Sequence, residues 1–222
     1  MPKKSRILAV VFCGVLLVLL ALLGVYLALR HEPAFYRRAL TGDAAAEKKA
    51  SEKMLQGVAH LGSNLAKQGQ WQAVFSAEEI NGWLAVDLPR NHPDALPQGM
   101  HDPRVVIEPD GVTLACRMDR GGLSGVVSVK VDLYLQEPNV VALRVRSARL
   151  GAIPGPLKPV LDAISAAGRH AGIPVDWRQA DGDPVALVSI PPPRDPHGKR
   201  VRIDTLRLSP GQIYLSGATQ SR

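Results

Sequence analysis

The chain has 222 residues, of which 46% are hydrophobic and 5% aromatic, and its net charge is +7. This length fits a single domain with its own apolar core better than two full domains, and with Cys13 and Cys116 as the only cysteines there is no disulfide framework. A +4 charge beyond the basic N-terminal tail, without interleaved aromatic residues, does not indicate a nucleic-acid partner.

Residues 7–29 form one uninterrupted apolar run with basic residues on both sides. As a helix the run would reach ~34 Å, slightly more than the ~30 Å hydrocarbon core of a bilayer. It is longer than a signal-peptide core and lacks a small-x-small cleavage site, so we expect an uncleaved single-pass anchor. The flanking charges are nearly balanced, but the short, densely basic tail favours a cytoplasmic N-terminus and an extracytoplasmic domain.

Two helices are predicted after the anchor. Residues 30–70 are predicted to form an amphipathic juxtamembrane helix, with apolar residues three and four positions apart between Met54 and Leu65. Ser76 and Glu79 match a capping box, which predicts a second helix that begins there and stops at Pro89. Residues 89–103 contain four prolines and are predicted to form a surface loop.

The pattern then changes to that of strands. Asp110-Gly111 predicts a hairpin, and residues 123–136 alternate so that the odd positions are expected to be buried and the even ones exposed. A further helix is predicted around residues 160–167, followed by strands near residues 175–178, 185–190, 201–208 and 212–216. The predicted fold class is α+β, a largely antiparallel twisted sheet packed on two or three helices after a transmembrane helix. The predicted divisions are 1–6 (tail), 7–29 (anchor), 30–70 (juxtamembrane helix), 71–217 (α+β domain) and 218–222 (tail).

Four segments resemble the YpmS-like family of small bacterial membrane-anchored proteins: residues 75–81 (FSAEEIN), residues 147–161 (SARLGAIPGPLKPVL), residues 172–177 (GIPVDW), and the closing pair 201–206 with 213–215. The resemblance implies this architecture and an envelope location. It implies no chemistry, because no activity is established for that family. A more distant similarity is to extracytoplasmic lipid-binding domains whose curved sheet wraps a helix and leaves an apolar groove.

No catalytic constellation is present in the sequence, so we predict neither an enzyme nor a cofactor. Ser124 does not lie in a Gly-x-Ser-x-Gly motif. His92, Asp94, His101 and Asp102 match no common metal-ligand spacing, so no metal site is predicted.

The remaining candidates suggest binding. The residues that would line an apolar groove are Trp71, Phe75, Trp83, Val127, Val129, Val131 and Leu133. Lys130, Arg144 and Arg146 are expected to form a basic stripe on the wet sheet face, either solvated or in contact with headgroups or a partner. We therefore expect a non-enzymatic membrane-anchored domain that binds a lipid-like ligand or an envelope partner. The alternatives are a scaffold of an envelope complex and, last, a hydrolase of an envelope polymer.

Overall fold

The structure is a computed structural model that describes residues 19–190 and 200–220. Residues 19–29 are helical and are called α1 here. The first part of the predicted anchor, residues 7–18, lies outside the described residues. Among the residues that are described, no helix has both the length and the apolar character needed to cross a membrane.

Within the described ranges, four further helices and ten strands follow α1. The helices are α2 (Ala34–Leu40), α3 (Ala44–Leu65), α4 (Ala77–Asn91) and α5 (Lys158–Ala171), with a short 3₁₀ helix at Pro93–Ala95. The strands are β1 (Gly69–Ser76), β2 (Met100–Glu108), β3 (Gly111–Arg120), β4 (Leu123–Glu137), β5 (Val140–Leu150), β6 (Ile153–Pro154), β7 (Val175–Ala180), β8 (Asp183–Ser189), β9 (Arg200–Ser209) and β10 (Gln212–Gln220).

The predicted α+β class with a largely antiparallel sheet packed against helices is confirmed. The strands form two sheets rather than one: a small sheet in the order β1-β10-β9, and a large sheet in the order β2-β3-β4-β5-β8-β7 with β6 paired to β5. Every pairing is antiparallel. The Asp110-Gly111 hairpin and the late strands lie where the sequence predicts them.

Residues 30–70 contain two helices, not one, and both pack into the domain. The helical conformation is interrupted between α2 and α3 at residues 41–43, which include Gly42. The helices α3 and α4 meet at Gly82, where a Cβ atom would lie 2.6 Å from the Ala50 Cβ and 2.7 Å from the Glu47 carbonyl oxygen. This contact between small residues makes α3 a structural part of the α+β domain, so the predicted boundary at residue 71 does not separate two units.

The helix α4 begins as predicted and ends later than predicted. The Ser76 hydroxyl accepts a hydrogen bond from the Glu79 N–H (3.1 Å), and the Glu79 carboxylate accepts one from the Ser76 N–H (3.0 Å), which completes the capping box. The helix then continues through Pro89 to Asn91. A proline two residues from the end of a helix removes only one intrahelical hydrogen bond, so it does not stop the helix there.

Candidate functional site

The large sheet has two faces with different chemistry. Residues opposite each other in an antiparallel pair point to the same side. The register therefore places Arg104, Ala115 and Val126 on one side, called the Arg104 face. It places Leu114, Val129 and Ala148 on the other side, called the valine face, together with Val127, Val131 and Leu133.

One end of the Arg104 face is closed by α2 and α3. Tyr36 on α2 is fully buried against Ala115 and Val126, and its hydroxyl donates a hydrogen bond to the Asp102 carbonyl (2.8 Å). Burial raises the pKa of Tyr36 to about 12. This end of the face is therefore part of the core and cannot serve as a binding surface.

A buried arginine fastens both helices to β2. The Arg104 side chain is 6% exposed and its guanidinium donates to the Glu47 carboxylate on α3 (3.0 Å) and to the Ala39 carbonyl at the end of α2 (3.1 Å). A third hydrogen bond goes to the Pro103 carbonyl (2.9 Å). A buried charge with this many partners is satisfied, and it fixes the positions of three elements at once.

The other end of the Arg104 face carries the three cations of the predicted basic stripe. Lys130 donates to Asp110 (2.7 Å) and Arg144 to Asp183 (2.8 Å), while Arg146 bridges Asp132 (2.6 Å) and Asp183 (2.9 Å). Asp181 and Glu108 complete the network, at 3.1 Å from Arg144 and 3.8 Å from Lys130.

The three cations share a face as predicted, but five carboxylates surround them. The hydrogen bond from Arg144 is the main cause that lowers the pKa of Asp183, and the hydrogen bond from Lys130 lowers the pKa of Asp110. The stripe is thus a mixed ionic network rather than a free basic surface. With five carboxylates and three cations, the network carries no net positive charge that would attract an anionic headgroup.

The valine face is apolar and only half covered. Val127, Val129, Val131 and Leu133 are all half-buried, and Leu114 beside them is 48% exposed. The prediction that the odd positions of β4 are the buried ones is wrong at the start of the strand, where Val126 (1% exposed) and Ser128 (7% exposed) are the most buried residues. The reason is that α2 packs on the Arg104 face, which a period-two pattern cannot show.

The end of α1 lies against the margin of the valine face. The Ala28 carbonyl accepts a hydrogen bond from the Ala152 N–H in the turn after β5 (2.8 Å). The Leu29 carbonyl oxygen lies 2.8 Å from where a Cβ of Gly125 would be, and a Cβ of Gly151 would lie even closer to the carbonyl oxygens of Ala28 and Leu29. The last carbonyls of a helix lack intrahelical partners, so this turn satisfies one of them, and two glycines allow the approach.

An ion pair adds a further link between α1 and the sheet. Glu32, just after α1, pairs with Arg117 on β3. In the described part of α1, the large apolar side chains do not pack against the domain and are exposed. Those that are 47–61% exposed are Leu19, Leu20, Leu22, Leu23, Val25, Tyr26 and Leu27.

The helix α5 lies on the same side as the valine face. The Trp177 indole N–H donates to the Ser165 hydroxyl on α5 (2.8 Å), and Gly168 packs on Val175. Trp177 and Val175 belong to the valine face through their pairing with Ala186 and Val188 on β8. The helix therefore flanks the exposed part of this face without covering Leu114.

The three predicted groove aromatics lie elsewhere. Trp71 (6% exposed) and Phe75 (8% exposed) are on β1 of the small sheet, where Phe75 packs on Gly57 of α3. Trp83 is on α4, with its ring 6.0 Å from that of His92. The predicted groove thus divides into a valine group on β4 and an aromatic group near the small sheet, and the two groups do not share a surface.

Two open concavities border the small sheet. One, of about 820 Å³, is lined by β1, β9 and β10 and includes Trp71. The buried indole N–H of Trp71 has no hydrogen-bond partner among the residues that the structure describes. The other, of about 310 Å³, lies between α3 and residues 72–75 of β1. Neither includes a valine of β4.

His101 lies between two carboxylates at the exposed margin of the Arg104 face. Its Nε2 is 2.6 Å from Asp119 and its Nδ1 is 2.8 Å from Asp102. The hydrogen bond to Asp119, followed by that to Asp102, raises the pKa of His101. Carboxylates only accept hydrogen bonds, so both ring nitrogens can donate to their carboxylates only when the imidazole is protonated, and this geometry favours the protonated form.

Other chemistry at this margin is equally limited. Ser124 bonds Asp119 rather than a histidine, and this hydrogen bond helps to lower the pKa of the Asp119 carboxyl. Within residues 19–190 and 200–220, no group of three or more His, Cys, Asp or Glu side chains has the geometry to hold a metal ion.

The contacts that tie α1 to the sheet were missed by the sequence analysis. In the sequence, Gly125 is one position of the alternating segment 123–136, and Gly151 lies within the segment 147–161 that carries the family resemblance. Their common role depends on long-range packing, for which a single sequence gives no signal. Arg104, the one charged residue at the start of the apolar run Val105 to Ile107, was a visible but unused sign of a buried ion pair.

Comparison with known proteins found no matching family model, no matching curated protein and no matching solved structure.

Proposed function

We propose that this protein is a single-pass membrane-anchored domain that binds a lipid-like ligand on the valine face of its large sheet. The observation that carries the proposal is the position of this apolar face. It begins at Gly125, beside the last carbonyl of α1, and continues along β4 to Leu133, ~26 Å away at ~3.3 Å per residue. An acyl chain could thus pass from the end of the anchor onto the sheet without crossing a polar surface.

The chemistry of the face suits such a ligand. The partly exposed strip formed by Leu114 and the valines of β4 is aliphatic. Such a half-buried apolar strip gains free energy when a ligand covers it, at roughly 25 cal/mol per Å². A large exposed apolar patch in a folded domain often marks an interaction site. The ionic network on the opposite face keeps that side of the sheet wet.

The proposed membrane location is supported by the exposed apolar side chains of α1 and by the basic residues around the run of residues 7–29. We propose a cytoplasmic N-terminus and an extracytoplasmic domain, and membership of the YpmS-like family. Reporter fusions at the C-terminus that are active only outside the cytoplasm would support this orientation. Activity only on the cytoplasmic side would refute it.

The ligand proposal is tested with a photoactivatable phospholipid whose acyl chain carries a diazirine at its end. The full chain is reconstituted in nanodiscs containing this probe and irradiated, and the cross-linked peptides are identified by mass spectrometry. We expect adducts on β3 and β4, on Leu114 and the nearby valines. Adducts confined to α1 would contradict a ligand site on the domain.

A matched pair of variants on one strand sharpens the test. Leu114→Glu places a charge on the valine face, while Thr113→Glu places it on the opposite face, next to Lys130. We expect Leu114→Glu to lower the adduct yield on β4 about tenfold, because an unpaired carboxylate disfavours an acyl chain by more than the ~1.4 kcal/mol that a tenfold change requires. Thr113→Glu should leave the yield unchanged.

A further inference from the structure

The edge strands of the two sheets differ in whether their outward backbone N–H and C=O groups are hydrogen-bonded. The outer edge of β2 is closed: the Asn81 side chain bonds both the N–H (2.7 Å) and the C=O (2.9 Å) of Val105, and the Gly211 N–H bonds the Ile107 carbonyl (2.9 Å). The edge of β9 is closed in the same way, since the Asn139 side chain bonds the Ile203 N–H (2.6 Å) and the Val201 carbonyl (3.0 Å).

The outer edge of β1 has no such cover. Ala77 donates to the Gly211 carbonyl (2.7 Å), one step beyond the Ser76–Gln212 pair. Since backbone groups alternate between the two sides of a strand, the odd residues of β1 bond to β10 and the even ones point away. The Ser76 N–H is already bonded to Glu79. The edge that remains open consists of the N–H and C=O groups of Gln70, Gln72 and Val74, which have no partner within the described residues.

This edge also lacks the usual protection. Exposed edge strands commonly carry charges or proline, which prevent pairing with another strand, and β7 carries Asp176 and Arg178. The sequence of β1, GQWQAVFS, has neither a charge nor a proline. Val74 on this edge is 50% exposed. The 310 Å³ concavity beside residues 72–75 leaves room next to the strand.

We propose that β1 pairs with β1 of a second copy of this chain, which joins the two small sheets across a two-fold axis. The open groups belong to residues 70, 72 and 74, which are evenly spaced about Gln72. When two copies pair antiparallel with Gln72 opposite Gln72, Gln70 lies opposite Val74, and every open N–H meets an open C=O. The strand is its own complement in this register, as a two-fold interface requires. Because β1 has no charge, the two strands themselves do not repel each other.

The first experiment is a cross-link at the axis. Gln72→Cys is made in the full chain with Cys13 and Cys116 changed to serine, and the protein in detergent micelles is treated with a short bifunctional thiol reagent. Gln136→Cys, on the exposed end of β4, is the matched control. We expect a covalent dimer for Gln72→Cys and none for Gln136→Cys. A dimer with both variants, or with neither, would overturn the proposal.

The second experiment distinguishes the contribution of the Gln72 backbone N–H to dimerisation from that of the Gln72 side chain. Gln72→Pro removes the edge N–H at the axis without removing a hydrogen bond to β10, and proline is tolerated at such edge positions. Gln72→Ala keeps the N–H. By analytical ultracentrifugation of the full chain, we expect Gln72→Pro to raise the dimer dissociation constant about tenfold or more and Gln72→Ala to leave it nearly unchanged.

Circular dichroism first checks that the proline variant is folded. If it is not, Val74→Lys replaces it, because it leaves the backbone of β1 intact and places a charge on the edge. A wild-type chain that stays monomeric, or an edge variant that dimerises as tightly as Gln72→Ala, would refute pairing through β1.

Discussion

The two faces of the large sheet differ in what covers them. On the Arg104 face, helices bury Tyr36 and Arg104 with specific polar contacts, and the uncovered remainder is a network of ion pairs. On the valine face, Ala148 and Val145 are buried, whereas Leu114 and the neighbouring valines of β4 stay partly exposed. The polar contacts thus fix helices to one face, and part of the apolar surface of the other face remains uncovered.

Because of this difference, we expect substitutions on the two faces to affect different properties, stability on one face and ligand binding on the other. A variant on the closed end of the Arg104 face should destabilise the fold, whereas a variant at the exposed centre of the valine face should change ligand capture and leave stability nearly intact. The comparison fails if substitutions on the two faces have equal effects on the free energy of unfolding.

The largest expected effect is that of Arg104→Met. The substitution leaves the partly buried Glu47 carboxylate and the Ala39 carbonyl without their donor, and we expect a loss of about 3 kcal/mol in the free energy of unfolding, measured by urea denaturation. Arg146→Met is the matched control, because its side chain is 43% exposed and its ion pairs are screened by solvent. It should cost less than about 1 kcal/mol.

A double variant sharpens this result. Replacing Glu47 by methionine in the Arg104→Met background removes the unpaired charge, so part of the lost stability should return. A double variant as unstable as the single one would mean that Arg104 acts by filling space rather than by its ion pair.

The second largest expected effect on stability concerns the contact of α3 with α4 at Gly82, which positions Glu47 next to Arg104. Gly82→Ala should destabilise the domain by about 2 kcal/mol, because the new Cβ meets the Glu47 carbonyl and the Ser51 N–H at 2.7 Å and the helices must separate. Gly62→Ala on α3 has no atom within 4 Å of its new Cβ. It should stabilise the helix by about 0.5–1 kcal/mol. Thermal unfolding of both variants compares them directly.

Local signals predicted the elements of this fold well. The Ser76–Glu79 capping box, the Asp110-Gly111 hairpin and the αL glycine that ends α5, Gly172 (φ 65°), are all determined by neighbouring residues. The division into two sheets could not be predicted, because it depends on which distant strands pair. The same holds for the Arg104–Glu47 contact, whose members are 57 residues apart.

The candidate site was predicted only in part for a related reason. Alternation along β4 identified Val127 to Leu133 as one apolar face, but which face the helices cover depends on where α2 packs. The aromatic residues were grouped with these valines by composition alone. The structure separates them because β1 belongs to the other sheet.

The smallest expected effect is a dependence on pH at the open margin of the Arg104 face. The pKa of His101 is raised in the folded protein, so its contribution to stability is present below the unfolded value near 6.5 and is lost as the pH rises through the folded value. The pKa of Asp119 is lowered, so its contribution is lost only under acid conditions. His101→Gln should therefore lower the melting temperature at pH 5.5, by about 2 °C, and have almost no effect at pH 8.5. An equal loss of melting temperature at pH 5.5 and pH 8.5 would show that the imidazole acts by packing. His101 would then belong to the buried part of the Arg104 face rather than to its exposed margin.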